Sequence, residues 1–116
     1  MKTITLKLGT KEYTLATTLR VAYVLQGMNN HKPYLDIFKE ISTLTLEKQV
    51  EFLYAAYTVA APTEVMSKEE FLNECLDNLN LSEIMNCIMQ IIEGITGKEF
   101  SEAIKITDND NDDSKN

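Results

Sequence analysis

From Ile4 to Leu15 the apolar residues fall on alternate positions: Ile4, Leu6 and Leu8, then, past Gly9, Tyr13 and Leu15. Alternation turns successive side chains to opposite faces of a strand, and a glycine between two such runs marks a reversal. Residues 3–16 therefore predict a β-hairpin. A lone two-stranded hairpin is marginal in water. Its apolar face needs either the helices that follow or a second copy of the chain.

Past Thr17 and Thr18, either of which suits an N-cap, the apolar spacing lengthens to three and four. A first helix is expected from about Leu19 to Gln26, with Leu19, Ala22, Tyr23 and Gln26 on one face and Gly27, Asn29 and Asn30 as the stop. A second, short one opens after Pro33 with Tyr34, Ile37, Phe38 and Ile41. In TLTLEKQVEFLYAAYTVAAP, Thr45 caps and Leu46, Val50, Leu53, Tyr54, Tyr57 and Ala61 form the stripe. Glu47, Lys48 and Glu51 mark the wet side, and Pro62 ends the helix. The small Ala55, Ala56, Ala60 and Ala61 allow close backbone approach, which predicts a central position.

Ser67 to Glu70 matches a capping box and opens a helix carrying Phe71, Leu72, Cys75, Leu76 and Leu79. Asn80 or Ser82 then caps a last helix, in which Ile84, Met85, Ile88, Ile91, Ile92 and Ile95 make a stripe too wide for a helix with one buried side. Beyond Gly97, Phe100, Ala103, Ile104 and Ile106 extend the packing a little, so helical structure is expected from about residue 19 to 105. Residues 107–116 hold nothing apolar to repay ordering entropy and read as a disordered acidic tail. The expectation is a single α+β domain over residues 1–106, mainly helical, with one hairpin and a bundle of four to five helices.

At 116 residues, 44% hydrophobic and 25% charged, the chain is long enough to bury one core without disulfides or metal. Its formal charge of −7 is uneven, because four aspartates against Lys115 place −3 in the last ten residues. No basic stripe is present to release counterions from phosphate, which argues against nucleic acid as a partner. No stretch approaches the about 20 apolar residues that cross a bilayer. The opening residues alternate between apolar and polar and are broken by lysines, unlike a secretory signal, so Cys75 and Cys87 read as reduced thiols in a cytoplasm.

Candidate chemistry is sparse. Asp108, Asp110 and Asp112 fall at positions one, three and five of a calcium loop, but Asp113 stands where the sharp turn requires glycine. His31 is the only histidine and lies in a turn, while the two cysteines fall on different helices, which makes a poor zinc set. The carboxylate pairs Glu69 with Glu70 and Asp36 with Glu40 lie on polar helix faces, as solvating charges do. There is no phosphate loop, dinucleotide glycine fingerprint or nucleophile elbow. The chain is expected to be no enzyme and to use no cofactor or metal.

What remains is surface. Met66, Met85 and Met89, with the isoleucines of the last helix, suit either core filling or an adaptable groove. Leu53, Tyr57, Met85, Ile88, Met89, Ile92 and Ile95 are the candidate protein-binding residues, chosen from the apolar stripes.

The order of ITLKLGTKEYTL, LRVAYVLQGM, VEFLYAAYTVAA, SKEEFLNECLDNL and a last apolar helix before a charged tail resembles the tail assembly chaperones of long-tailed phages and prophages of Gram-positive bacteria. The likeness runs over roughly residues 1–105. It implies a protein that binds and solubilises the tape measure protein, helps recruit the tail tube protein, stays in the host cytoplasm and is absent from the mature virion. It also implies that this chain is the short product of a gene that yields a longer one by frameshifting. Self-association through an open strand edge is compatible with that role. The competing expectation is a small acidic inhibitor or nucleic-acid mimic from a mobile element, which needs ordered carboxylates spaced like phosphates.

Overall fold

Gly9 reverses the chain with a φ of +68°, a left-handed conformation that costs glycine little and that two-residue hairpin turns demand. On either side lie strands β1 (Thr3–Leu8) and β2 (Lys11–Ala16), paired antiparallel with Leu8 opposite Lys11 and Thr3 opposite Ala16. In that register Ile4 faces Leu15 and Leu6 faces Tyr13 on the inner side, while Thr5 meets Thr14 and Lys7 meets Glu12 outside. Alternation in sequence has become two chemically distinct faces.

The computed structural model describes residues 2–97 apart from 41, 42, 44, 62 and 64. The expected packing of Phe100, Ala103, Ile104 and Ile106 and the expected acidic tail at 107–116 lie outside the described residues, as does Ile41 of the second helical stripe. Five helices follow the hairpin among the described residues: α1 (Leu19–Met28), α2 (Tyr34–Lys39), α3 (Leu46–Ala60), α4 (Lys68–Asn78) and α5 (Leu81–Thr96). The fold is α+β and mainly helical, as the sequence predicts.

Local chemistry sets the helix starts. Thr45 Oγ1 accepts the Lys48 amide at 3.2 Å. Ser67 Oγ accepts the Glu70 amide at 3.1 Å while Glu70 Oε1 accepts the Ser67 amide at 3.2 Å, a complete capping box. Asn80, rather than Ser82, does the same for α5, exchanging two 2.9 Å bonds with Glu83. Thr18 stands at the N-cap of α1 without a side-chain cap bond. Each box satisfies two amides of a first turn that have no intrahelical partner.

α3 is the central helix. It packs against β2, α1, α4 and α5, and its Val50, Phe52, Leu53, Ala55 and Ala56 are all but inaccessible. The hairpin is covered from within: Leu6, Leu8 and Leu15 join one core with α3 and α5. Intramolecular helices thus provide the cover that the hairpin's inner face needs. Gly94 lets α5 approach the β2–α1 junction, for a Cβ there would stand 2.2 Å from the Thr17 carbonyl oxygen and 2.5 Å from the Thr17 Cβ.

Candidate protein-binding surfaces

The stripe of α5 divides along its length of arc. Ile84, Ile88, Ile91 and Ile92 are buried against α1 and α3, so the width read from sequence is used by two neighbours. Ile88 and Ile92, two of the candidate binding residues, are wholly inaccessible in the monomer. Leu53 is also sealed, and Tyr57 is nearly so. Met85, Met89 and Ile95 remain half-exposed.

Tyr57 has internal work. Its ring stacks on Phe71 of α4 at 5.0 Å and meets Tyr13 of β2 edge-on at 5.8 Å. Its hydroxyl accepts the Met66 amide at 3.0 Å, and the Tyr54 hydroxyl donates to the Met66 carbonyl at 2.8 Å. The two tyrosines thereby pin the α3–α4 connection to the aromatic seam.

Met85 and Met89, one turn apart, line an open hollow of about 310 Å³ with Ser82, Glu83 and Asn86. Leu81, four residues before Met85, continues the flank and is 63% exposed. Methionine is unbranched and polarizable, so a furrow lined by it adapts to differently shaped apolar side chains. Of the seven candidate residues, the structure brings Met85 and Met89 together at the surface, leaves Ile95 half-covered near the other end of α5, and places the remaining four in the core.

A second apolar surface lies on α1, where sequence reading grouped the wrong positions. The inward face is Val21, Ala22 and Leu25. Leu19 and Tyr23 point outward, 62% and 72% exposed. In a ten-residue helix with apolar residues nearly all round, periodicity gives no unique inward face; the clue available was that LRVAY holds more apolar side chains than one face accommodates.

Glu51 also departs from expectation. Assigned to the wet side of α3, its side chain is 6% exposed and is held by Lys68 Nζ at 2.8 Å and Lys48 Nζ at 3.4 Å. The lysines reach across from α4 and from the preceding turn of α3, letting a carboxylate sit at the protein's edge without an unpaired charge. The hydrogen bond that Lys68 donates to Glu51, with that carboxylate's charge, raises the Lys68 pKa above the ordinary lysine value against a smaller opposing effect of burial.

The polar candidates are scattered. Asn30 and His31 adopt positive φ in the turn after α1, and His31 is exposed. Cys75 and Cys87 are buried free thiols on α4 and α5, and burial pushes Cys75 up to about 12. The calcium-like aspartates lie outside the described residues. No described helix is long and apolar enough to cross a membrane. No family model, curated protein or solved structure matches the chain.

Proposed function

We propose that this protein is a phage tail assembly chaperone that binds and solubilises the tape measure protein and helps recruit the tail tube protein, acting in the bacterial cytoplasm and absent from the finished virion. The observation that carries the reading is the half-exposed methionine flank of α5, Leu81, Met85 and Met89, on a chain of net charge −7. A flank spaced at four residues matches the apolar stripe of a client helix laid beside it. Such a furrow is far smaller than the about 800 Å² per partner typical of a stable interface, so each contact is weak and exchangeable. Many copies along one long client convert weak contacts into avid coverage. Excess negative charge keeps the coated client dispersed. The unpaired outer edges of the β1–β2 hairpin offer neighbouring copies a place to meet.

Co-expression tests the reading. A tape measure fragment that sediments alone is expected to become soluble with this protein and to co-purify with it. Met89→Glu, combined with Met85→Gln, is expected to abolish the rescue while leaving the far-ultraviolet circular dichroism unchanged. A fragment that pellets equally with and without the wild-type protein overturns the proposal.

A further inference from the structure

The parity of the hairpin decides which of its backbone groups face outward. The Thr17 amide donates to the Lys2 carbonyl at 2.9 Å, next to the pair of Thr3 with Ala16. Lys2, Ile4, Leu6 and Leu8 are therefore the residues that exchange hydrogen bonds with the second strand. Thr3, Thr5 and Lys7 alternate with them and turn their N–H and C=O groups to the open side of β1. None of these groups has a backbone partner among the described residues, and all three side chains are exposed.

Natural sheets blunt such an edge with proline, a bulge, charges or a covering element, because a row of unpaired groups is a template for another strand. β1 has neither proline nor bulge, its register with β2 running unbroken from residue 3 to residue 8. Its one outward charge, Lys7, already faces Glu12 within the hairpin. By the same parity the outward groups of β2 belong to Glu12, Thr14 and Ala16, but Ala16 is sealed in the core and the chain turns at once into α1. β1 is the edge open to a further strand.

We infer that β1 pairs antiparallel with β1 of a second copy, about a two-fold axis at Thr5. The strand is its own complement in that register. Thr5 meets Thr5 of the second copy, and Thr3 meets Lys7 in both directions, so all three outward residues of each strand exchange hydrogen bonds. Ile4 falls opposite Leu6 in the closer, non-hydrogen-bonded pairing, which continues the apolar inner face and covers the half-exposed Ile4. Threonines pair favourably across strands, and no like charges stand opposite one another. A register centred on Lys7 would set two ammonium groups face to face, and one displaced by a single residue would put the apolar face of one copy beside the polar face of the other. An isologous contact of this kind closes on itself as a dimer. Pairing over so short a strand is small beside the about 800 Å² per partner of a stable interface, so the dimer is reversible. The inference deepens the proposed meeting of copies at the hairpin edges and rests on that part of the reading alone.

Sedimentation velocity of the full chain at rising concentration is expected to show a monomer and dimer in equilibrium. Thr5→Pro removes an outward N–H and no bond of the hairpin, a substitution that edge strands tolerate, and is expected to abolish the dimer with the circular dichroism unchanged. Thr5→Cys gives a readout that does not depend on the proline variant folding. Facing Cα atoms in a hydrogen-bonded pair lie about 5.5 Å apart, within the span of a disulfide. Oxidised glutathione is expected to convert Thr5→Cys to a covalent dimer and to leave Thr14→Cys, on the other edge, monomeric. A chain that stays monomeric at high micromolar concentration and forms no Thr5→Cys dimer overturns the inference. So does a dimer that survives Thr5→Pro, or one that cross-links equally through Thr14→Cys. A dimer that forms while the tape measure fragment still pellets keeps this pairing and removes the chaperone reading; rescue of the fragment by a strict monomer does the reverse.

Discussion

Gly94→Ala tests how tightly α5 is seated on the β2–α1 junction. In most exposed helix positions the change stabilises, because alanine is favoured over glycine by about 1 kcal/mol in a helix interior. Here the new methyl would lie 2.2 Å from the Thr17 carbonyl oxygen, 2.5 Å from its Cβ and 2.8 Å from its Oγ1. Comfortable carbon contacts begin near 3.5 Å, so helix and junction must part by roughly 1 Å. Two of the three obstructing atoms belong to the main chain or to its first side-chain carbon and cannot swing aside. Overpacking of this kind costs about 1–3 kcal/mol, and the rigid neighbours put this case in the upper half of that range. After the propensity gain, a net loss of about 1–2 kcal/mol is expected, or roughly 5–15 °C in Tm at a few degrees per kcal/mol. Gly27→Ala in α1 is the control: a Cβ there meets nothing within 4 Å, and a gain of about 0.5–1 kcal/mol is expected. Urea unfolding followed by circular dichroism, with unchanged m-values, measures both. If Gly94→Ala proves as stable as the parent while Gly27→Ala gains as expected, the close contact with Thr17 does not hold α5 in place and the reasoning fails.

Three further outcomes follow from the paired polar groups and the buried thiols. Tyr57→Phe keeps the ring stack on Phe71 but leaves the Met66 amide without its acceptor; a loss of about 1–3 kcal/mol in urea unfolding is expected, and no loss would mean that water takes over the bond. Lys68 has a raised pKa in the folded state, so its contribution is fully present below the ordinary lysine value of about 10.4 and fades as pH climbs through the higher folded one. Lys68→Met should therefore lower stability at pH 7 and show a shallower decline than the parent on the alkaline side; parallel curves would contradict the pairing with Glu51. Because burial raises Cys75 to about 12 and raises Cys87 as well, neither thiol should react with a disulfide reagent at neutral pH until urea unfolds the chain. Rapid labelling of native protein would place a cysteine at the surface.

The hairpin, the five helices and the starts of α3 and α4 were legible because they depend on neighbours in sequence. Alternation at Ile4, Leu6 and Leu8, the glycine at 9, the reciprocal pair Ser67 with Glu70, and the alanines of α3 each state a local requirement that the folded chain meets with the same residues, whereas the choice of Asn80 over Ser82 as the cap of α5 was left open by the sequence. Which side of a stripe reaches water is a different kind of question. Val21 rather than Leu19 faces inward on α1, Glu51 is buried, and Ile88 and Ile92 are core while Met85 and Met89 stay half-exposed. Each of these outcomes turns on an element distant in sequence: α3 beneath α1, Lys68 arriving from α4, and two helices sharing the face of α5. Periodicity defines how apolar residues are arranged around one helix, but burial is a property of pairs of surfaces, and only the tertiary arrangement determines which surfaces meet.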